Sequence, residues 1–329
     1  VPDEQSLMLQ LARETKRPVM FNLSQIDEDP DLYRRGLAGI EQAAAEGLPV
    51  YAQVAGRAIG IVMSWHATAH PFALRPSFIP LMAESPEARI RALRDPQLRA
   101  KILGEESFVK GPFETFVTTS FDKMFLIDES FDYEPEANGS LAARAQASGC
   151  SPQELAYDWL SSEGGKGMMY FPLFNYSAGD LEVLHDLHSH PNTLMGLSDA
   201  GAHCGAICDG GMPTFMLTHW TRDRRRGPLL PLEEVVRRQT SATAHGYGLH
   251  DRGVIAPGYK ADINLIDYER LGLEKPQIVY DLPAGGRRLM QRARGYEATI
   301  LSGELVTERG EATGTLPERL LRGERAVPS

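Results

Sequence analysis

The sequence predicts an α/β chain built on a parallel sheet and closed by a small β module. Two observations carry this. Short apolar runs at 19–23, 50–54 and 193–197 alternate with helical stretches, which is the rhythm of βα units. After Gly253 the helical pattern stops, and alternating strands with glycine turns take over. A length of 329 residues suffices for one large domain or one and a half ordinary ones.

Composition narrows the function classes. Apolar content of 42% and charged content of 24% are ordinary for a globular chain. A net charge of −10 argues against a general nucleic-acid or anionic-membrane surface, and the basic run at 222–226 reads as a solvated loop. No apolar stretch has the length of a bilayer span, and no signal-peptide pattern is present. The chain opens at Val1 inside a polar helix, so its start reads as a truncation. Three cysteines, Cys150, Cys204 and Cys208, do not form a disulfide framework and fit a reducing cytoplasm. Cys204 and Cys208 flank no second Cys/His pair, so two small buried residues are weighed against a metal role for them beside His203.

The elements follow in order. Residues 3–16 read as a helix that Arg17-Pro18 breaks, and 19–23 as a buried strand carrying Asn22. Asp31 is placed as the cap of a helix running to about 45, with Leu37, Ile40 and Ala44 at helical spacing. After Gly47-Leu48-Pro49 comes a strand at 50–54 that carries Gln53. Residues 56–135 interrupt the rhythm and read as an insertion over one face of the sheet. Within it, 85–104 is helical and broken near Pro96, and 113–127 is β-branched and aromatic, the pattern of a strand or hairpin. Ser151-Pro152-Gln153-Glu154 has capping-box spacing and starts a helix. A strand at 168–173, a helix at 180–188, the strand at 193–197 and a helix at 231–244 complete the α/β part. Strands at 261–267 and 296–307, the latter a hairpin turning at Ser302-Gly303, belong to the β module.

The stretch at 193–203 carries the chemistry. An apolar run ends in Ser198-Asp199-Ala200-Gly201-Ala202-His203, as a buried parallel strand does when it delivers polar groups from its C-terminal end. Taken alone, Asp199 reads equally as a cap of the next turn.

Gly196-Leu197-Ser198-Asp199-Ala200-Gly201-Ala202-His203 resembles the last barrel strand of the amidohydrolase superfamily. Leu249-His250-Asp251-Arg252-Gly253, Pro257-Gly258 and Lys260-Ala261-Asp262 resemble that superfamily's return into its β-sandwich, most of all in the N-acyl-D-amino-acid deacylase branch. The resemblance implies the later half of a (β/α)8 TIM-barrel metallo-hydrolase at 1–250, with the insertion at about 56–135, and a small β-sandwich segment at 251–329. It implies Zn2+, one ion, with Asp199 as metal ligand and general base, and with the other ligands upstream of this chain. Zinc brings the pKa of its bound water to about 7 and polarises the carbonyl. His203 is expected either to orient substrate and assist proton transfer or to pack in its loop.

The sequence departs from the family pattern in two ways. No His-x-His stands on a first strand; His188-Ser189-His190 lies at the wrong end of its strand. Where the family places histidines at two strand ends, this chain has Asn22 and Gln53, weak zinc ligands that either bind substrate or hydrogen-bond inside the barrel. Arg57, Asn175 and Tyr176 are further substrate-binding candidates at strand ends. His66 and His70 read as exposed, and His219-Trp220 as packing residues. The region 208–213 lacks the arginine that D-aminoacylases use on the substrate carboxylate; the next one is Arg222.

The expected function is hydrolysis of a non-peptide C–N bond in a small N-acyl-amino-acid-like amide, in the cytoplasm, with the isolated chain inactive. Open sheet edges would let it pair with a second copy. The alternative is a non-catalytic relative that binds a small ligand without a metal.

Overall fold

The computed structural model describes residues 2–196, 198, 201, 203–317, 320–321 and 325–328. Helix α1 (Pro2–Thr15) leads to β1 (Val19–Asn22), α2 (Leu32–Ala45), β2 (Val50–Val54) and β3 (Ile59–Met63). Helices α3 (Pro86–Leu93), α4 (Pro96–Gly104) and α5 (Pro112–Thr119) precede β4 (Phe125–Leu126). Then come α6 (Leu141–Ser148), α7 (Pro152–Gly165), β5 (Met169–Phe174), α8 (Glu182–Ser189) and β6 (Thr193–Met195). Helices α9 (Met212–Thr218), α10 (Leu232–Gln239) and α11 (Ser241–Gly246) end the helical part. The rest is strands: β7 (Ile263–Ile266), β8 (Gly272–Leu273), β9 (Gln277–Leu282), β10 (Gly286–Met290), β11 (Ala293–Arg294), β12 (Tyr296–Leu301), β13 (Glu304–Glu308) and β14 (Glu311–Ala312). The expected class therefore stands: α/β, with a separate sheet-rich C-terminal region. Among the described residues no helix is long and apolar enough to cross a membrane.

Strands β1, β2 and β6 form a parallel sheet in that spatial order. Asn22 pairs with Gln53, and Gln53 with Leu194, so these three side chains share one face. Val50, Ala52 and Val54 point to the other face and are buried with Ile40 and Ala43 of α2 and Leu187 of α8. On the first face lies α11, packed on β6.

The strand expected at 168–173 is β5, but it does not join the parallel sheet. It is the middle strand of a second, antiparallel sheet with β3 and β4. This sheet is covered on both sides. Met169 and Phe171 enter a core with Trp65, Phe72, Phe78 and Leu160, and Tyr170 enters the core of the parallel sheet. Burial on both faces explains why β3, a strand that the sequence reading did not single out, is an unbroken apolar run. Side chains from 61–126 thus build a second core on β3 and β5.

Two local expectations change. Residues 112–119 are helical, although β-branched and aromatic. Pro112 opens the helix, and the Thr118 and Thr119 hydroxyls donate to the carbonyls of Glu114 and Thr115, both at 2.7 Å. Asp31 precedes α2 without capping it; its carboxylate accepts from Arg34 Nε instead, at 2.9 Å. The Ser151–Glu154 capping box is formed, α3 and α4 divide before Pro96, and the turn at Ser302-Gly303 has positive φ at both residues (51° and 85°).

Candidate active site

The parallel strands bring Asn22, Gln53 and Gly196 together at their C-terminal ends. Asn22 is exposed, and Gln53 is half-buried. The Gln53 amide donates to the Tyr247 hydroxyl. Both ends of the stretch that follows β6 are fixed. Gly196 N donates to Val54 O at 3.0 Å, and the His203 carbonyl accepts from Ala206 N and Ile207 N at 2.7 and 2.9 Å. His203 itself is exposed, in the left-handed region at φ 50°. Beyond it, Cys204 O, Gly205 O and Ala206 O accept from Leu289, Thr68 and Val62, which ties the segment between β3 and β10. Asp199 lies outside the described residues.

The other expected site residues are not at this rim. Arg57 is fully buried in the turn between β2 and β3. Its Nη2 donates to Asp209 Oδ1 at 2.9 Å and to Cys208 O at 2.8 Å, and its guanidinium lies 3.6 Å from the Tyr133 ring centroid. Those internal partners occupy the group that was to meet a substrate carboxylate. Asn175 is also buried, at φ 63°, and its Oδ1 accepts from Gln25 N at 2.7 Å, clamping the end of β5 to the loop after β1. Tyr176 is buried, donates to Pro135 O at 2.6 Å and accepts from Arg226 at 3.1 Å. Burial pushes its phenol well above the ordinary range. Both residues follow β5, and β5 belongs to the other sheet.

The histidines divide in the same way. His188 is buried, with Nε2 3.0 Å from Ala55 O; because a carbonyl only accepts, the proton is on Nε2. Burial, with Arg238 nearby, brings its pKa down to about 3. His190 meets Glu41 at 3.3 Å, so 188 and 190 face different partners. His70, expected at the surface, is buried against Trp65 and Phe78, and burial brings its pKa down to about 3 as well. His66 is half-buried, 3.0 Å from the Tyr280 hydroxyl. His219 stacks on Phe215 at 4.3 Å and bonds to Glu134 at 3.1 Å. The buried Glu134 also accepts from Arg224 and from Leu181 N. Burial opposes its charge, but these donors bring its pKa down to about 2.

No three His, Cys, Asp or Glu side chains converge among the described residues. Cys208 is buried, and burial raises its thiol to about 11. At the strand ends the side chains are amides. The described residues therefore do not by themselves fit a metal ion.

A model of the amidohydrolase family matches residues 1–307. The chain belongs to the amidohydrolase family. Several solved structures are similar to this amidohydrolase chain. One is the N-acyl-D-glutamate deacylase from Bordetella bronchiseptica, complexed with zinc and a phosphonate inhibitor, at 17% identity and a TM-score of 0.47. Another is a D-aminoacylase described as defining a novel subset of amidohydrolases, at 16% identity and a TM-score of 0.45. A third structure, of a D-aminoacylase studied for its binuclear metal centre, has 15% identity and a TM-score of 0.46. In each case the alignment covers 94% of this chain and 51% of the other, so the chain spans about half the length of the solved structures it matches. No curated protein matches it.

Two residues carried no sequence signal, one at the rim and one beside the buried Arg57. Tyr247 sits between glycines in what reads as a helix end, and Asp209 follows Cys208 in a loop. Each is brought in by a partner distant in sequence, Gln53 or Arg57.

Proposed function

We propose that the protein hydrolyses a non-peptide C–N bond in a small N-acyl-amino-acid-like amide, in the cytoplasm. The observation that carries this is the meeting of Asn22, Gln53 and Gly196 at the ends of three parallel strands, three residues before Asp199, in a chain of the amidohydrolase family. Asp199 takes the proton of the attacking water and passes it to the leaving amine. Asn22 and Gln53 orient the substrate through their amides. Zinc enters this reading with Asp199 as the ligand from this chain and the others from outside it. His203, exposed four residues past Asp199, has a supporting part in orienting substrate. The outer edge of β1, on which no further strand pairs among the described residues, suits pairing with a second copy, which light scattering tests.

The test is amine release from a panel of N-acetyl amino acids by the intact protein, with metal analysis of the same sample. Release that is lost in Asp199→Asn, together with about one zinc per chain, is the expected result. No release and no metal would sink this reading. The amide pair at the strand ends favours a second one, a relative that binds a small amide without turning it over; that reading expects binding with no release.

A further inference from the structure

The face of the parallel sheet that carries Asn22 and Gln53 is closed by α11 and the residue after it. One glycine makes this fit. A Cβ on Gly246 would fall 2.5 Å from Leu194 Cδ1, so glycine lets α11 lie this close to β6 with the Leu194 side chain where it is. A Cβ on Gly196 would fall 3.4 Å from Gln53 Cδ, so the Gln53 side chain lies against the end of β6. Met20 Sδ is 4.0 Å from Gln53 Nε2, and that nitrogen donates to the Tyr247 hydroxyl. Just beyond Tyr247, Gly248 O accepts from Arg325 N at 2.8 Å, and His250 N donates to Arg325 O at 3.3 Å. Tyr247 is thus held from both sides while its side chain stays open to solvent, with 54% of the residue exposed.

We propose that Tyr247 is a specificity-determining residue of the site described above, donating its O–H to an sp2 oxygen of the substrate. A phenol oxygen that accepts from an amide becomes a stronger donor through its own hydrogen. Because Gln53 donates to that oxygen, the phenolic hydrogen is left for a partner other than Gln53, on a side chain that is open to solvent. Gln53 then has two parts: its amide nitrogen fixes the phenol, its amide oxygen faces the substrate, and the phenol adds a second contact that reads the ligand. An amide carbonyl and a carboxylate both present the acceptor required. This inference rests on the reading of the strand ends as the site.

The experiment compares the intact protein with its Tyr247→Phe variant on N-acetylglycine and N-acetylglycinamide. One lost hydrogen bond raises KM about tenfold, with kcat within about twofold and the melting temperature unchanged. A rise confined to N-acetylglycine assigns the contact to the charged carboxylate, and a rise on both assigns it to a carbonyl oxygen that the two compounds share. If Tyr247→Phe does not fold, Tyr247→Met, which keeps bulk without a donor, raises KM by the same factor. KM values within about twofold of the unmodified protein for both substrates overturn the proposal while leaving the hydrolase reading intact. If neither compound is hydrolysed, that reading falls, and calorimetric binding of the same two compounds decides. Binding about tenfold weaker in the variant upholds the role of Tyr247; equal binding, or none to the unmodified protein, overturns it.

Discussion

Arg57 and Asp209 form a 2.9 Å ion pair with both side chains out of water. The pair links the turn after β2 to the residue just ahead of α9, across the Tyr133 ring. Removing one partner leaves the other charge buried, which costs about 3–5 kcal/mol, whereas replacing both with apolar residues costs much less. Arg57→Met is expected to lower the urea midpoint sharply, and Arg57→Met with Asp209→Leu to recover most of the loss. Urea unfolding followed by tryptophan fluorescence measures both.

Gly60 is held to glycine by Tyr170. A Cβ at 60 would fall 2.1 Å from Tyr170 Cε2, and Tyr170 is fixed in the core by its 3.0 Å hydrogen bond to Ala58 O. The ring cannot swing away without breaking that bond and opening the core between β3 and β5. Gly60→Ala is therefore expected to destabilise by about 3 kcal/mol or more, the upper range for overpacking. A thermal melt close to that of the unmodified protein would contradict this.

Glu134 gives the fold an acid-labile element. Its pKa is depressed to about 2, against about 4.3 for a free glutamate. The stabilisation from its donors is fully present above about pH 4.3 and is lost as pH falls toward 2. Its full size is about 3 kcal/mol. Glu134→Gln should be less stable at pH 7 and should show a flatter dependence on pH below 4.3. Denaturation curves at pH 7, 4 and 3 for the two proteins provide the comparison.

The local pattern was legible where one face of an element meets water. The short strand that carries Gln53, the helix periodicity at 32–45 and the capping box at Ser151 all show up in sequence because neighbouring residues bear on them. Elements buried on both faces lose that signature. The run at 59–63 has no alternation to read, and the run at 169–174 reveals a strand but not the sheet it joins. The same holds for the site. Asn22 and Gln53 stand at strand ends and were found from the strands. Arg57, Asn175 and Tyr176 also follow strands, but their environments are set by Asp209, Gln25 and Pro135, tens of residues away or more. Tyr247 is at the rim through a contact 194 residues long in sequence.

His70 and His188 set the behaviour in mild acid. Each is buried and neutral, with a pKa brought down to about 3, whereas an unfolded histidine titrates near 6.5. The unfolded chain therefore takes up protons that the folded chain refuses, and stability falls as pH drops from about 6.5 toward 3. Two such groups give a slope of about 2.7 kcal/mol per pH unit across that window. Three units of that slope rival the whole stability of an ordinary domain, so unfolding in acid comes before either imidazole charges inside the fold. Equilibrium denaturation at pH 7, 6 and 5 should show uptake of close to two protons on unfolding at pH 5. His188→Gln keeps a donor for Ala55 O and cannot titrate, so it should halve that slope; an unchanged slope would remove His188 from the account.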